Sequence, residues 1–258
     1  MDNVILLGTS CAFPTKERNH PSIYINLNGK IILLDCGEGT QRQIRIAGLS
    51  PSIDKIFITH WHGDHSLGVG GIIQSINMSN ASKLIEIFGP KGTKSSVKNI
   101  LSAYKFYSRV HIKTRVIDAK REKLIDRIGK FSLYAINVKH GVPCLGYKIK
   151  EDDSINIRRE MLEKFRIKPG KYLNELKQGK DVEYNGKVLK ASNFTYIKKG
   201  KKIVYLTDLK YEKRLSRFAK DADLLIIEAT LSSKFEKKAR EIYHLTIADA
   251  LRIGKEAN

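Results

Sequence analysis

His60-Trp61-His62-Gly63-Asp64-His65, preceded by the apolar run Ile56-Phe57-Ile58-Thr59, decides how this chain is read. Imidazoles and a carboxylate are costly to bury without partners, so three histidines and an aspartate in six positions are poorly explained as packing. Set just after a strand, they turn toward one point at a sheet edge. Nitrogen and oxygen donors gathered that way suit a divalent metal ion. Trp61, inside the cluster, is read as an aromatic packing beside the site.

The surrounding composition restricts what such a site can serve. With 258 residues, 41% hydrophobic and 29% charged, the chain can bury a substantial core and expose a charged surface. Lys and Arg number 47 against 27 Asp and Glu, a net charge of +20. Lysine enrichment through heat adaptation normally brings matching glutamate. Here the acids lag far behind, so a polyanion, nucleic acid first, is the expected partner. Cys11, Cys36 and Cys144 are odd in number and far apart, which argues for a reducing compartment and for small buried apolar roles. No signal peptide or membrane-length apolar run is present, so a cytoplasmic protein is expected, with no membrane partner.

Working outward, Val4 to Gly8 reads as a first strand. Ile23 to Leu27 and Ile31 to Asp35 flank Asn28-Gly29, a strong hairpin signal. The glycines of Cys36-Gly37-Glu38-Gly39-Thr40-Gln41 allow a tight turn into a helix ending near Ala47 and Gly48. Leu67 to Asn77 reads as a helix against the metal loop, and Leu84 to Phe88 as a strand. Ser95 to Tyr107 reads as a helix with Val97, Ile100, Leu101 and Tyr104 on one face. Extended stretches follow around 112–117 and 131–138. From about 151 to 193 strong strands disappear, and Pro169-Gly170 interrupts a short amphipathic piece from Ile157 to Phe165. Between Lys164 and Lys180, six bases (Lys164, Arg166, Lys168, Lys171, Lys177 and Lys180) face one acid, Glu175. This segment reads as an inserted basic arm in a single domain spanning 1–258, with the six bases as candidates for contact with the polyanion. Lys202 to Leu206 is a strand ending at Asp208, and Leu224 to Ile227 a buried strand ending at Glu228. A basic helix lies between them near 211–219. Helices over 235–243 and 246–255 enclose His244. An α/β sandwich with helices outside fits this order.

His60, His62, Asp64, His65, His140, Asp208, Glu228 and His244 all sit where an apolar stretch stops. That is more than one tetrahedral zinc needs. Two ions about 3.5–4 Å apart, with a carboxylate between them and a water made acidic by both, suit phosphoester hydrolysis. His20 and His111 have no ligand neighbours in sequence and are left outside the site.

These motifs carry a family resemblance. The chain resembles the metallo-β-lactamase-fold hydrolases and, within them, ribonuclease Z, the endonuclease that removes the 3′ trailer from precursor tRNA. The resemblance runs from Leu7-Gly8-Thr9 through the 35–41 turn, the 60–65 cluster, His140, Asp208, Glu228-Ala229-Thr230 and His244-Leu245-Thr246. It implies an αββα sandwich. Two zinc ions are implied, the first on His60, His62 and His140, the second on Asp64 and His65, with Asp208 between them. Asp64 would also orient or deprotonate the attacking water. Glu228 and His244 would transfer the proton to the leaving oxygen, and Asp35 would orient a ligand histidine. The arm would grip precursor tRNA away from the cut, in a homodimer.

Departures accompany the match. Ile227 precedes Glu-Ala-Thr where the family usually has histidine, and Thr207-Asp208-Leu209-Lys210 replaces a Gly-Asp-Thr-Arg turn. The arm has Pro169-Gly170-Lys171-Tyr172, without the Gly-Pro pair of many relatives. The family continues into a C-terminal strand ending in Thr-His, whereas this sequence ends at Asn258. The expectation is that this strand is missing, the second zinc site is incomplete, and a fragment or a second polypeptide explains the gap. Two rival functions stay open: an inactive or split subunit that binds tRNA, and another small-substrate hydrolase of the superfamily. Small substrates would not explain the charge or the arm.

Overall fold

The computed structural model describes residues 3–78, 83–103 and 109–258. It contains two compact units, Met1–Lys150 with Lys202–Asn258, and the insert Glu151–Lys201. In the first unit, β1 (Asn3–Gly8), β2 (Ser22–Leu27) and β3 (Lys30–Leu34) form an antiparallel meander. Asn28 and Gly29, at φ 53° and 81°, make the two-residue turn between β2 and β3. Next come α1 (Thr40–Ile46), β4 (Lys55–Phe57), α2 (Gly63–Ser66), α3 (Val69–Met78), β5 (Lys83–Gly89), α4 (Thr93–Ala103) and β6 (Val110–Val116). β4, β5 and β6 extend the sheet in parallel, giving the order β1-β2-β3-β4-β5-β6.

The second sheet takes β7 (Lys123–Ile128), β8 (Phe131–Val138) and β9 (Cys144–Glu151) from before the insert. After it come β14 (Lys202–Leu206) and β15 (Leu224–Ile227), in the order β15-β14-β9-β8-β7. α8 (Arg214–Phe218) joins β14 to β15, and α9 (Glu236–Glu241) and α10 (Ile247–Ala257) follow.

Side-chain alternation explains the layering. Ile32 and Leu34 of β3 turn toward Phe131, Leu133 and Ala135 of β8 and Leu145, Tyr147 and Ile149 of β9, filling the space between the sheets. Ile31 and Leu33 turn the other way, onto α1 and α3 through Ile44, Ile72 and Ile73. On the far side, Val204 and Leu206 of β14 pack on Leu215 and Phe218 of α8 and Ile253 of α10. Both sheets are covered on both faces, so inner strands such as β3 and β14 read as nearly unbroken apolar runs. The result is the expected αββα sandwich. Phe57 and Phe88 stack at 4.5 Å in its centre, with Tyr147 edge-on to Phe57 at 5.6 Å. Fully burying each such ring stabilises by about 1.5–3 kcal/mol.

Several expectations need correction. β7 and β9 were not foreseen, because half of β7 is charged and Gly146 breaks the apolar alternation of β9. The 224–227 strand is not buried: β15 is the edge of its sheet among the described residues, and Leu224 is 39% exposed. Of the cysteines, Cys36 and Cys144 are buried but Cys11 is exposed. Within the described residues the helix expected over 95–107 begins earlier, at Thr93, and reaches Ala103, while residues 104–107, Tyr104 among them, lie outside the described residues.

The insert holds β10 (Ser154–Ile157), α5 (Arg159–Lys164), α6 (Tyr172–Lys177), β11 (Val182–Tyr184), β12 (Lys187–Leu189), α7 (Ala191–Phe194) and β13 (Thr195–Lys198). Two antiparallel pairs, β10 with β13 and β11 with β12, replace the expected strand-free texture. Ile167, Leu176, Val182, Leu189 and Phe194 give it a small core of its own. Among the described residues, no helix is long and apolar enough to cross a membrane.

Candidate metal centre

The polar residues singled out in the sequence follow the C-terminal ends of successive strands. Asp35 follows β3, the 60–65 cluster follows β4, His140 follows β8, Asp208 follows β14 and Glu228 follows β15. His244 lies in the turn just before α10, which Thr246 and Asp249 close with a reciprocal capping box. The metal motif is not a plain loop, since Gly63 to Ser66 form a helical turn that lifts Asp64 and His65 together. Asp35 and Asp208 both occupy the left-handed region, at φ 57° and 47°. Such geometry is uncommon outside glycine and tends to mark functional positions.

Three groups of donor atoms converge, and Asp208 belongs to all of them: with His60, His62 and His140; with Asp64 and His65; and with Glu228 and His244. His62 Nδ1 lies 3.0 Å from His60 Nε2 and 3.3 Å from His140 Nε2. Hydrogen bonds explain why these nitrogens carry lone pairs. His60 Nδ1 lies 3.0 Å from the Thr59 hydroxyl, which donates onward to Asp35, and His140 Nδ1 lies 3.3 Å from the Tyr243 carbonyl. The His60 and His140 rings turn Nδ1 outward and Nε2 in, while His62 presents Nδ1. Three imidazole nitrogens meeting at one point could hold a cation. Ligand nitrogens about 2.0–2.1 Å from a tetrahedral zinc stand roughly 3.3 Å from each other, close to the separations here. Asp208 Oδ2, 3.8 Å from His60 Nε2, completes that set.

The second group is built around His65. Its Nδ1 donates to Asp35 Oδ2 at 2.7 Å, leaving Nε2 at 3.5 Å from Asp208 Oδ1 and 3.6 Å from Asp64 Oδ2. Asp35 is fully buried and accepts four further bonds: the Thr59 backbone N–H at 2.7 Å, the Thr59 hydroxyl at 2.9 Å to each oxygen, and Tyr205 Oη at 2.8 Å. One carboxylate thus orients His65 directly and His60 through Thr59.

The third group does different work. Glu228 Oε1 accepts the Leu209 N–H at 2.8 Å, Oε2 accepts the Thr230 hydroxyl, and His244 Nδ1 stands 3.1 Å from Oε2. The carboxylate is therefore committed to hydrogen bonds. Its effect is to hold His244 with Nε2 turned toward Asp208, 4.0 Å away.

Electrostatics separate the groups. Burial, with the neighbouring His65 charge, pushes His60 down to about 2, so it stays neutral and able to ligate. Burial also lowers His140. Burial works against protonated His65, yet the Asp35 and Asp208 charges hold it well above the usual histidine range. Burial likewise opposes ionised Asp208, but the His65 hydrogen bond and the surrounding histidines keep its carboxyl well below its usual range. The Glu228 hydrogen bond raises His244.

These groups open on a cavity of about 810 Å³ lined also by Thr9, Ser10, Cys11 and Arg18. The structure brings all eight strand-end residues together, with Asp35 bonded to His65. Thr59, Tyr205 and Arg18 were missed: Thr59 and Tyr205 sit inside apolar runs, and Arg18 lies in a polar loop without pattern. Trp61 packs beside the site and donates to Thr93 Oγ1 at 2.9 Å. His20 is buried with its ring 3.4 Å from the Ala12 carbonyl, and His111 is exposed on β6. Neither joins a donor group among the described residues.

In the insert, all six basic candidates are exposed. Arg166, Lys168 and Lys177 line a groove of about 1040 Å³ together with Arg159, which had not been singled out, while Lys164, Lys171 and Lys180 lie off it. Arg158 stacks over the Tyr196 ring at 5.7 Å, presenting aromatic and cationic surface together.

Layered sheets with donors gathered at their C-terminal edge define a metallo-β-lactamase-fold protein. YhfI from Bacillus subtilis, a protein of that fold, superposes with a TM-score of 0.67 at 17% identity, over 98% of this chain and 81% of its own. The family model described as Anti-Pycsar protein Apyc1 matches residues 3–137. Ribonuclease Z of Nanoarchaeum equitans is 42% identical over 256 residues, 99% of this chain and 80% of that protein. The short form of human tRNase Z superposes with a TM-score of 0.72 at 25% identity, over 98% of this chain and 88% of its own. The chain belongs to the ribonuclease Z family and is a hydrolytic nuclease.

Proposed function

We infer that the chain is a zinc-dependent endoribonuclease that removes the 3′ trailer of precursor tRNA in the cytoplasm, as a homodimer. The observation that carries this reading is Asp208, shared between the histidine group, the Asp64–His65 pair and the hydrogen-bonded Glu228–His244 couple. Kinship with ribonuclease Z supports the substrate, as do the charge of +20 and the basic groove in the insert.

His60, His62 and His140 would hold one zinc and Asp64 and His65 a second, with Asp208 between them. Zinc ions bound there would acidify water and carry the negative charge of the scissile phosphate. Asp35 fixes the two histidines whose Nε2 atoms face Asp208, so ligand geometry is set before substrate arrives. Asp64 orients the attacking water. His244, steadied through Nδ1 by Glu228, keeps a proton on Nε2 for the departing 3′ oxygen. Lys164, Arg166, Lys168, Lys171, Lys177 and Lys180 hold RNA phosphates.

The test is incubation with a precursor tRNA carrying a 3′ trailer. One cut after the discriminator base, absent in Asp64→Ala, supports the reading. Binding without cleavage, with zinc or manganese supplied, would instead favour an RNA-binding subunit.

A further inference from the structure

The segment 36–39 lies between the metal loop and the loop that walls the cavity, and it is bonded to both. On the metal side, Cys36 N–H donates to the His65 carbonyl at 2.9 Å and Gly68 N–H donates to the Cys36 carbonyl at 2.9 Å. On the other side, Gly37 N–H donates to the Pro21 carbonyl at 3.1 Å, and Asn19 Nδ2 donates to the Glu38 carbonyl at 2.7 Å. Asn19 also accepts the Ser10 N–H at its own carbonyl, 2.9 Å away, which closes the 10–19 loop into a unit.

Contact here is close enough to transmit displacement. Gly37 is buried, and a Cβ placed on it would stand 2.2 Å from the Asp64 carbonyl oxygen and 2.4 Å from His20 Cβ. The backbone of the metal loop and the side chain of His20, next to the wall loop, therefore both stand against Gly37 and leave no room for a side chain there. Interiors packed at this density pass small shifts along rather than absorbing them. The wall loop in turn faces the cavity through Ser10, Cys11 and Arg18.

We propose that the 36–39 turn is a positioning bridge, through which Asn19 and Gly37 set the placement of Asp64 and His65 from outside the reacting centre. The wall loop and the second set of donors then move as one piece, and substrate held on the wall is registered against Asp64. Asn19 and Gly37 touch neither substrate nor ligand atoms in this scheme, and act only through the turn. The proposal rests on reading Asp64 and His65 as donors to an ion.

The experiment compares wild type with Asn19→Ala, Gly37→Ala and Asp64→Ala. Each chelator-stripped protein is titrated calorimetrically with Zn2+, and kcat and KM are measured on precursor tRNA. In Asn19→Ala and Gly37→Ala the weaker of two zinc-binding steps is expected to lose about tenfold in affinity, as for other groups that orient ligands. The tighter step should stay unchanged, and kcat should fall while KM holds. Should Gly37→Ala fail to fold, Asn19→Ala, which introduces no clash, carries the test alone. An unchanged weak step and kcat in Asn19→Ala overturns the bridge, and so does a rise in KM alone. If Asp64→Ala loses the weak step and Asn19→Ala keeps it, only the bridge is wrong. If Asp64→Ala keeps it too, the ligand reading falls and takes the bridge with it.

Discussion

Asp35 Oδ2 and His65 Nδ1 are 2.7 Å apart, both wholly buried, in a contact that joins the end of β3 to the metal loop after β4. The carboxylate leaves His65 only one free nitrogen and points that nitrogen at Asp208. Through Thr59 it does the same for His60. Asp35→Asn keeps the shape but removes the charge that orients both rings. Zinc affinity, measured by chelator competition, is expected to fall about 10–100-fold. Unchanged affinity would show that the rings hold their positions without Asp35.

The Glu228–His244 couple predicts a pH effect. Glu228 raises the His244 pKa above its ordinary value, so the protonated donor persists to higher pH and is lost as pH rises through the raised value. Glu228→Gln removes that support. The alkaline limb of the kcat/KM profile on precursor tRNA should move to lower pH, while the acid limb stays in place. A profile that drops uniformly without moving would mean that His244 is not the group being titrated.

Binding should be steeply salt-dependent. Substituting Lys164, Arg166, Lys168, Lys171, Lys177 and Lys180 by glutamine should raise KM for precursor tRNA. Each phosphate contact removed should flatten the log–log salt slope by roughly 0.7–0.9. Hydrolysis of a small phosphodiester should be unaffected. Parallel losses on both substrates would place these lysines and arginine in folding rather than RNA binding.

Stability should reflect the start of α10. Asp249 accepts from Arg240 at 2.7 and 2.9 Å and from the Thr246 backbone and hydroxyl, and these partners overcome burial to hold its carboxyl below the usual range. A depressed carboxyl contributes stability that is complete above the unfolded value of about 3.9 and vanishes as pH falls through the folded value. Asp249→Asn keeps the Thr246 cap but loses the charge that binds Arg240, so it should lower Tm at neutral pH, by about 1 kcal/mol in stability, and the gap to wild type should close in acid. A gap that persists at low pH would assign the effect to packing.

Much of this was legible in the residues. The 60–65 cluster and the carboxylates and histidines at apolar run ends picked out the donors that the structure gathers, because buried polar groups at strand ends have few other uses. Asn28-Gly29 identified its hairpin for a backbone reason, the left-handed turn. β9 was hidden by Gly146, which approaches Leu206 in the neighbouring strand and interrupts an otherwise clear Leu145, Tyr147, Ile149 alternation. β15 looked buried because Leu224 to Ile227 are all apolar, and composition cannot tell a central strand from an edge. Tyr205 reads as core and packs as core. Only its hydroxyl, reaching Asp35 across the space between the sheets, ties it to the site, and no local pattern records such a contact.

Asp208 is the residue on which the donor groups converge, so its removal tests the whole arrangement. Cleavage of a 3′-extended precursor tRNA should be measured with wild type and Asp208→Ala, each stripped of metal and resupplied with Zn2+, with tRNA binding measured in parallel. The expected result is a single cut by wild type, and background cleavage with ordinary tRNA affinity for Asp208→Ala. Asp208→Ala cutting at the wild-type rate would contradict a metal-centred phosphodiesterase built around this carboxylate.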